Sequence, residues 1–216
     1  MRLVPAILTD SIDEYRHKLA LAESFTDYAQ VDFMDGLFVP SVSVPSSEVA
    51  GVRTSLTLEA HLMVQDPISY LNPLGDSEFV KAFFHFEAVP NHLEVINRIK
   101  DLQMKVGLAV NPGTEIDEFS GPLKDLDSVL FLTVDPGFYG SPFQPGVLEK
   151  FKRFRRAYPE IEAGIDGGVK LGNLSAVIAA GPDFICVGSA IFHASDPEYA
   201  FEQFQARIKA AGEAAA

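Results

Sequence analysis

The chain has 216 residues, and 30 acidic side chains against 17 basic ones give it a formal charge of −13. This length and a hydrophobic fraction of 47% suit one domain over residues 1–216, and the acidity argues against nucleic acid or an anionic membrane surface as a partner. The single cysteine, Cys186, excludes an internal disulfide. No apolar run approaches the roughly 20 residues of a membrane-spanning helix, and the N-terminus does not resemble a signal peptide, so we expect a cytoplasmic protein.

Eight short apolar runs recur along the chain and predict eight β-strands. In chain order they are Leu3–Leu8, Ala29–Phe33, Leu56–Met63, Phe79–Phe86, Lys105–Val110, Ser128–Val134, Ile161–Ile165 and Phe184–Val187. Such runs, hydrophobic nearly throughout, are typical of parallel strands covered on both faces. Segments of helical periodicity lie between most of them, at Ser11–Phe25, Asn91–Gln103, Gln144–Tyr158, Leu171–Ala180 and Glu198–Ala211. The eightfold repeat predicts a single (β/α)8 TIM barrel and disfavours an open doubly wound sheet, because polar motifs follow nearly every run.

Three polar side chains at these predicted strand ends are candidates for chemistry. Asp32 lies inside an apolar run, where a carboxylate must be paired, ligated or functional. A lone histidine such as His61 is more often a hydrogen-bonded core residue, but Asp32 and Asp166 should end in the same barrel mouth. Two carboxylates and an imidazole suit Zn, Mn or Fe, and Mg less well. For His85 and Glu87, a buried ion pair at the end of the fourth strand is the favoured interpretation.

Glycines follow the sixth, seventh and eighth runs and predict a phosphate site. The residues concerned are Gly137, Gly140, Gly167, Gly168, Gly188 and Ser189. Backbone N–H groups of these loops often bind phosphate in barrels. Tight turns that need positive φ would explain each glycine singly, but not their clustering in three successive loops.

Seven motifs in the same order resemble one known family. They are Pro5–Leu8, Asp32–Pro40, His61–Val64, Asn111–Pro112, Pro136–Phe138, Asp166–Val169 and Gly188–Phe192. Together they resemble the ribulose-phosphate 3-epimerase family over almost the entire chain. The resemblance implies a TIM-barrel isomerase of the pentose phosphate pathway that acts on a small phosphorylated sugar. Family members are often dimers or larger, so the resemblance allows a homo-oligomer, although no interface can be identified in the sequence.

The resemblance also implies residue roles. A divalent metal would polarise the C2 carbonyl of the sugar while one aspartate removes the C3 proton and another returns a proton on the opposite face. Asp32 and Asp166 would be this acid/base pair and also metal ligands, with His61 as a further ligand. Met34 and Met63 would line the site beside the enediolate. The remaining substrate-binding positions would be Gly137, Phe138, Gly140, Gly167, Gly168, Gly188 and Ser189.

Several positions depart from the family pattern. Gln30 stands where the family usually has a histidine, and its amide oxygen is a poorer zinc donor than imidazole, although it could ligate a harder cation. Ala6 replaces a serine, Leu132 a methionine, Tyr139 a glycine and Ser141 a glutamine. These changes bear on metal content and on the identity of the substrate.

Three alternatives to a pentulose 5-phosphate epimerase stay open, and the departures motivate the first two. The loop substitutions allow an epimerase or isomerase of another phosphosugar, such as a ketohexose 6-phosphate. Gln30 allows a catalytically weak barrel that binds a phosphorylated ligand. A metal-independent lyase is the least favoured, because it would need a catalytic lysine in the mouth and only Lys170 follows a strand end.

Overall fold

Eight parallel strands are hydrogen-bonded in sequence order and close into a barrel in the computed structural model, which describes residues 1–137 and 141–215. The strands are β1 (Arg2–Ile7), β2 (Tyr28–Met34), β3 (Thr57–Met63), β4 (Phe79–His85), β5 (Lys105–Val110), β6 (Ser128–Leu132), β7 (Glu162–Asp166) and β8 (Phe184–Val187). All eight predicted strands are confirmed, as is the TIM barrel. Phe138, Tyr139 and Gly140, which sequence analysis assigned to the substrate site or to its departures, lie outside the described residues.

Helices follow the strands and cover the outside of the barrel. They are α1 (Ile12–Ala22), α2 (Ser46–Val49), α3 (Pro67–Leu71), α4 (His92–Asp101), α5 (Gly146–Ala157), α6 (Leu174–Ala179), α7 (Ser189–Phe192) and α8 (Pro197–Ala215), with 3-10 turns at Asn72–Leu74, Phe86–Ala88 and Gly121–Asp125. The five segments of helical periodicity correspond to α1, α4, α5, α6 and α8. In the described part of the chain, no helix is both long enough and apolar enough to cross a bilayer.

Two glycines make room for the aromatic rings that fill the barrel interior. A Cβ on Gly107 would lie 2.2 Å from Cδ1 of Phe83, and one on Gly164 would lie 2.2 Å from Cε2 of Phe184. The two rings are 5.9 Å apart between centroids and close the barrel below its C-terminal mouth. The site is therefore built on a packed floor, with no room for an open pore.

A layer of ionisable side chains lies inside the barrel at its N-terminal end. Lys81 Nζ is 2.6 Å from Glu162 Oε2 and 3.7 Å from Glu59 Oε2, and the Tyr28 hydroxyl donates to Glu59 Oε2 over 2.7 Å. Among the described residues, Glu59 Oε1 has no hydrogen-bond partner. Burial raises the pKa of Glu59, because a charged carboxylate loses hydration there.

Candidate active site

Asp32, His61 and Asp166 converge at the C-terminal mouth of the barrel. Asp32 and His61 are register partners on β2 and β3, and Asp166 is the last residue of β7. The Nδ1 atom of His61 is 3.1 Å from Asp32 Oδ1 and 3.3 Å from Asp166 Oδ2. The three side chains that the sequence singled out therefore share one site.

The two carboxyl groups have different pKa values although they share one imidazole. Burial raises the pKa of Asp32 despite its hydrogen bond to His61. Burial also opposes ionisation of Asp166, but hydrogen bonds with His61 and Gln30 and the charge of His61 outweigh it and lower the pKa of Asp166. Burial disfavours a charged His61 as well, yet its hydrogen bonds to both carboxylates raise its pKa to about 9. Asp32 is thus the more readily protonated of the two carboxyl groups.

His61 is held from behind by a chain of hydrogen bonds. Its Nε2 atom is 3.0 Å from Nε2 of His85, and Nδ1 of His85 is 3.3 Å from Glu87 Oε2. Burial lowers the pKa of His85 to about 4, so this ring is uncharged near neutral pH. The contact between His85 and Glu87 that the sequence predicted as an ion pair is therefore a hydrogen bond, and it continues to His61.

This series of hydrogen bonds determines which nitrogen of each histidine ring carries a proton when His61 binds a metal. If Nδ1 of His61 ligates a metal, Nε2 must carry the proton and donate to His85. Nε2 of His85 then accepts, and Nδ1–H of His85 donates to Glu87. Glu87 Oε1 is held in turn by the backbone N–H of Asn111 over 2.8 Å and by the Thr114 hydroxyl.

The three groups fit a divalent cation. One ligand atom from each of Asp32, His61 and Asp166 can be chosen so that all lie within 4.8 Å of one another. Ligand atoms bound tetrahedrally at about 2.0–2.1 Å would be about 3.3 Å apart, which matches both separations from His61 Nδ1. Three protein ligands would leave coordination positions for a substrate oxygen.

Gln30 lies beside this group with its amide oxygen turned away from it. Its Nε2 atom donates to Asp32 Oδ1 and to Asp166 Oδ2, each over 2.9 Å. Its Oε1 atom accepts from the Cys186 thiol over 3.1 Å, and burial keeps the pKa of that thiol well above its usual range. The sequence suggested that the amide oxygen of Gln30 could bind the metal. In the structure the amide nitrogen faces the two carboxylates, and the oxygen faces Cys186.

A cavity of about 280 Å³ opens above the three groups. Apart from Gln30, all described residues that the sequence assigned to the site line this cavity. They are Asp32, Met34, His61, Met63, Gly137, Asp166, Gly167, Gly168, Gly188 and Ser189. Met34 and Met63 are both buried and pack with Val39. Three departures from the family pattern, Ala6, Leu132 and Ser141, also line the cavity.

Three glycines of the predicted cluster have the positive φ that the turn interpretation requires. Gly137, Gly167 and Gly168 have φ values of 93°, 100° and 64°. A Cβ on Gly167 would lie 2.5 Å from Val134 Cγ2. These three glycines also line the cavity, and phosphate binding there stays a prediction.

Sequence reasoning missed two basic side chains of the cavity wall, Lys18 and His193. Lys18 is buried on α1, where its Nζ donates to the Leu8 carbonyl and contacts Glu14 Oε1, each over 2.8 Å. The i,i+4 spacing of Glu14 and Lys18 could have indicated their pairing, but not their position at the mouth.

A parallel (β/α)8 barrel with paired carboxylates at its C-terminal mouth defines the class of protein, a barrel enzyme. Comparison with known proteins then gives the family. A family model described as the ribulose-phosphate 3 epimerase family matches residues 2–192, and the chain belongs to this family of isomerases.

Curated relatives agree with this assignment. The chain is 36% identical over 178 residues to a ribulose-phosphate 3-epimerase of Schizosaccharomyces pombe, covering 80% of this chain and 78% of the relative. It is 34% identical to ribulose-phosphate 3-epimerase 1 of Cupriavidus necator, covering 98% and 92%.

Solved structures with lower identity support the fold alone. A 3-hexulose-6-phosphate synthase from Salmonella typhimurium matches with a TM-score of 0.74 and 13% identity over 96% of this chain and 98% of that one. An orotidine 5'-monophosphate decarboxylase from Sulfolobus solfataricus matches with a TM-score of 0.68 and 14% identity, covering 96% and 97%.

Proposed function

We propose that the protein interconverts D-ribulose 5-phosphate and D-xylulose 5-phosphate by inverting C3, with Asp32 and Asp166 as the acid/base pair. The observation that carries this proposal is the approach of both carboxylates to one imidazole nitrogen, within 3.3 Å, beneath a cavity lined by glycine loops. Family membership supports the reaction class, and the names of the relatives support the substrate.

The two carboxyl groups come from different sides of the mouth, as inversion requires. Asp32 extends from β2 and Asp166 from β7, and β1 and β8 lie between these strands in the barrel. A sugar between them can lose a proton to one group and gain a proton from the other on its opposite face.

The pKa directions of the metal-free site support one assignment of the two roles. Asp166, whose pKa is lowered, takes the C3 proton and leaves the sugar as an enediolate. Asp32, whose pKa is raised, gives a proton to the other face of C3. Two titratable groups whose environments separate their pKa values in this way are suited to opposite roles. The reverse reaction exchanges these roles.

The rest of the cavity would bind and shield the substrate. We assign the phosphate to backbone N–H groups of the loops that contain Gly137, Gly167, Gly168, Gly188 and Ser189. Met34 and Met63 would exclude water from the reacting carbons. A divalent cation held by Asp32, His61 and Asp166 would supply Lewis-acid stabilisation of negative charge on the sugar oxygens.

A substrate panel tests this proposal. The purified protein, assayed with Zn²⁺ or Mn²⁺, is expected to convert D-ribulose 5-phosphate to D-xylulose 5-phosphate with a higher kcat/KM than any ketohexose 6-phosphate. A preference for a ketohexose 6-phosphate would replace the substrate and keep the reaction class. Tight binding of phosphosugars without turnover of any of them would contradict the proposal.

A further inference from the structure

Gln30 contacts both carboxylates of the candidate site but does not line the cavity above them. The residue is fully buried on β2, and it is not among the residues that line the cavity. Both N–H bonds of its amide are directed at carboxylates, one on its own strand and one on β7. Its nitrogen therefore links two side chains that are 134 positions apart in the sequence (166 − 32).

The surrounding groups define the orientation of this amide. A carboxylate oxygen accepts hydrogen bonds, so Asp32 and Asp166 require the NH2 group on their side. The buried thiol of Cys186 donates to Oε1 from β8 on the other side. The reversed amide would place its oxygen 2.9 Å from two carboxylate oxygens, which would repel it.

From these contacts we propose that Gln30 is a positioning residue. Its amide, oriented by Cys186, ties Asp32 to Asp166 and gives its hydrogen atoms to the carboxylates instead of offering its oxygen to a metal ion. The pair of carboxylates then stays assembled before any metal binds, and the metal takes three protein ligands. This inference rests on the proposed acid/base roles of the two aspartates.

The orientation of the amide can be observed directly by NMR. Glutamine side chains are labelled with ¹⁵N in the chelator-stripped protein, and the signal of Gln30 is assigned by its loss in Q30L. Both amide protons of Gln30 are expected to exchange with D₂O at least tenfold more slowly than those of the exposed Gln65, and to stay protected after Zn²⁺ is added. Exchange as fast as that of Gln65 would overturn the link between the carboxylates. Protection that disappears on addition of Zn²⁺ would show that the oxygen has turned to the metal, which would overturn the proposal.

Zinc affinity gives a second measurement, with a histidine at the same position. Q30H places an imidazole between the two carboxylates, so it is expected to lower the Zn²⁺ dissociation constant at least tenfold in competition with a chelator. An unchanged constant would contradict the central placement of position 30. Q65H, on an exposed residue, is the control and should leave the constant unchanged.

Kinetics then separate positioning from substrate binding. Q30L should lower kcat at least tenfold while KM for the ketose phosphate stays within about threefold, because the glycine loops are untouched. A change in KM alone would contradict a role at the carboxylates. The NMR and zinc measurements need no substrate, so they test Gln30 even if the proposed reaction is wrong.

Discussion

Burial and the charge of Asp166 raise the pKa of Asp32, whereas hydrogen bonds from His61, Gln30 and the Gly167 backbone, with the charge of His61, outweigh burial and lower the pKa of Asp166. Each carboxyl group can be tested individually. D32N and D166N each remove one proton-transferring group and keep the shape of the side chain. Loss of a general acid or base costs about 10²- to 10⁴-fold, so kcat for the pentulose 5-phosphate should fall at least a hundredfold in each variant. Asp101→Asn, at the exposed end of α4, is the matched control. If either site variant keeps near-parental turnover, two carboxylates are not required.

The hydrogen-bond chain behind His61 predicts that Glu87 affects metal binding from outside the cluster. In E87Q an amide NH2 facing His85 Nδ1 would force that nitrogen to accept, and His85 would then donate to His61. Nδ1 of His61 would carry a proton and could not bind a metal. The Zn²⁺ dissociation constant should rise about ten- to hundredfold, the usual cost of altering a partner of a ligand. E94Q, at an exposed position of α4, should leave the constant unchanged, and equal constants for E87Q and the parent would contradict the proton assignment.

Sequence reasoning reached some of these residues and not others for physical reasons. Asp32 stands out because a carboxylate inside an apolar run needs a partner, and that signal is local. The nearness of His85 and Glu87 in the sequence suggested an ion pair. Whether the His85 ring is charged depends on its burial and on His61, which another strand contributes, and the sequence does not show these contacts. The direction of the Gln30 amide depends on Asp166 and Cys186, which belong to strands far away in the chain.

At the scale of strands, the two interior glycines should not tolerate a larger side chain, because a substitution there would lower the free energy of unfolding. G107A would place a methyl group 2.2 Å from the ring of Phe83, inside a packed interior. Overpacking of this kind usually costs about 1–3 kcal/mol of unfolding free energy, which a urea titration can measure. Gly172→Ala, where a Cβ would meet nothing within 4 Å, should stay within about 0.5 kcal/mol of the parent. Equal losses in both variants would contradict the packing argument.

The ionisable layer at the other end of the barrel predicts a pH dependence of stability. The pKa of Glu59 is raised in the folded state above its ordinary value of 4.5, so the folded protein binds this proton more tightly than the unfolded chain. Its stabilising contribution is present at low pH and is lost as pH rises through the folded pKa. E59Q should therefore have a higher Tm than the parent at pH 8, because Lys81 keeps its contact with Glu162. The difference should shrink as the pH falls towards 4.5, and a Tm deficit of E59Q at pH 8 would contradict this account.

Strands and long helices were predictable because their patterns span many residues. Each of the eight strands is a nearly continuous apolar run, and α5 repeats its buried side chains over 12 residues. Helices α2, α3 and α7 have four or five residues, which is too short for a periodic pattern, and the sequence did not reveal them.

At the scale of the whole molecule, the order of the elements alone indicated the fold. Alternating strands and helices restrict the topology to a few parallel arrangements, and polar strand ends separate the barrel from an open sheet. The acidity of the chain, at −13, indicates that no general basic field attracts an anionic substrate. The proposed sugar phosphate would therefore be bound by local groups at the mouth, where Lys18 and His193 line the same cavity as the glycine loops.

Proton exchange at C3 tests the central proposal most directly. The protein is incubated with D-ribulose 5-phosphate in D₂O, first stripped of metal and then with Zn²⁺, Mn²⁺ or Mg²⁺ restored, and the C3 proton signal is followed by NMR. The account predicts loss of this signal together with formation of D-xylulose 5-phosphate, and neither with D166N. A C3 signal that persists under every metal condition would contradict it.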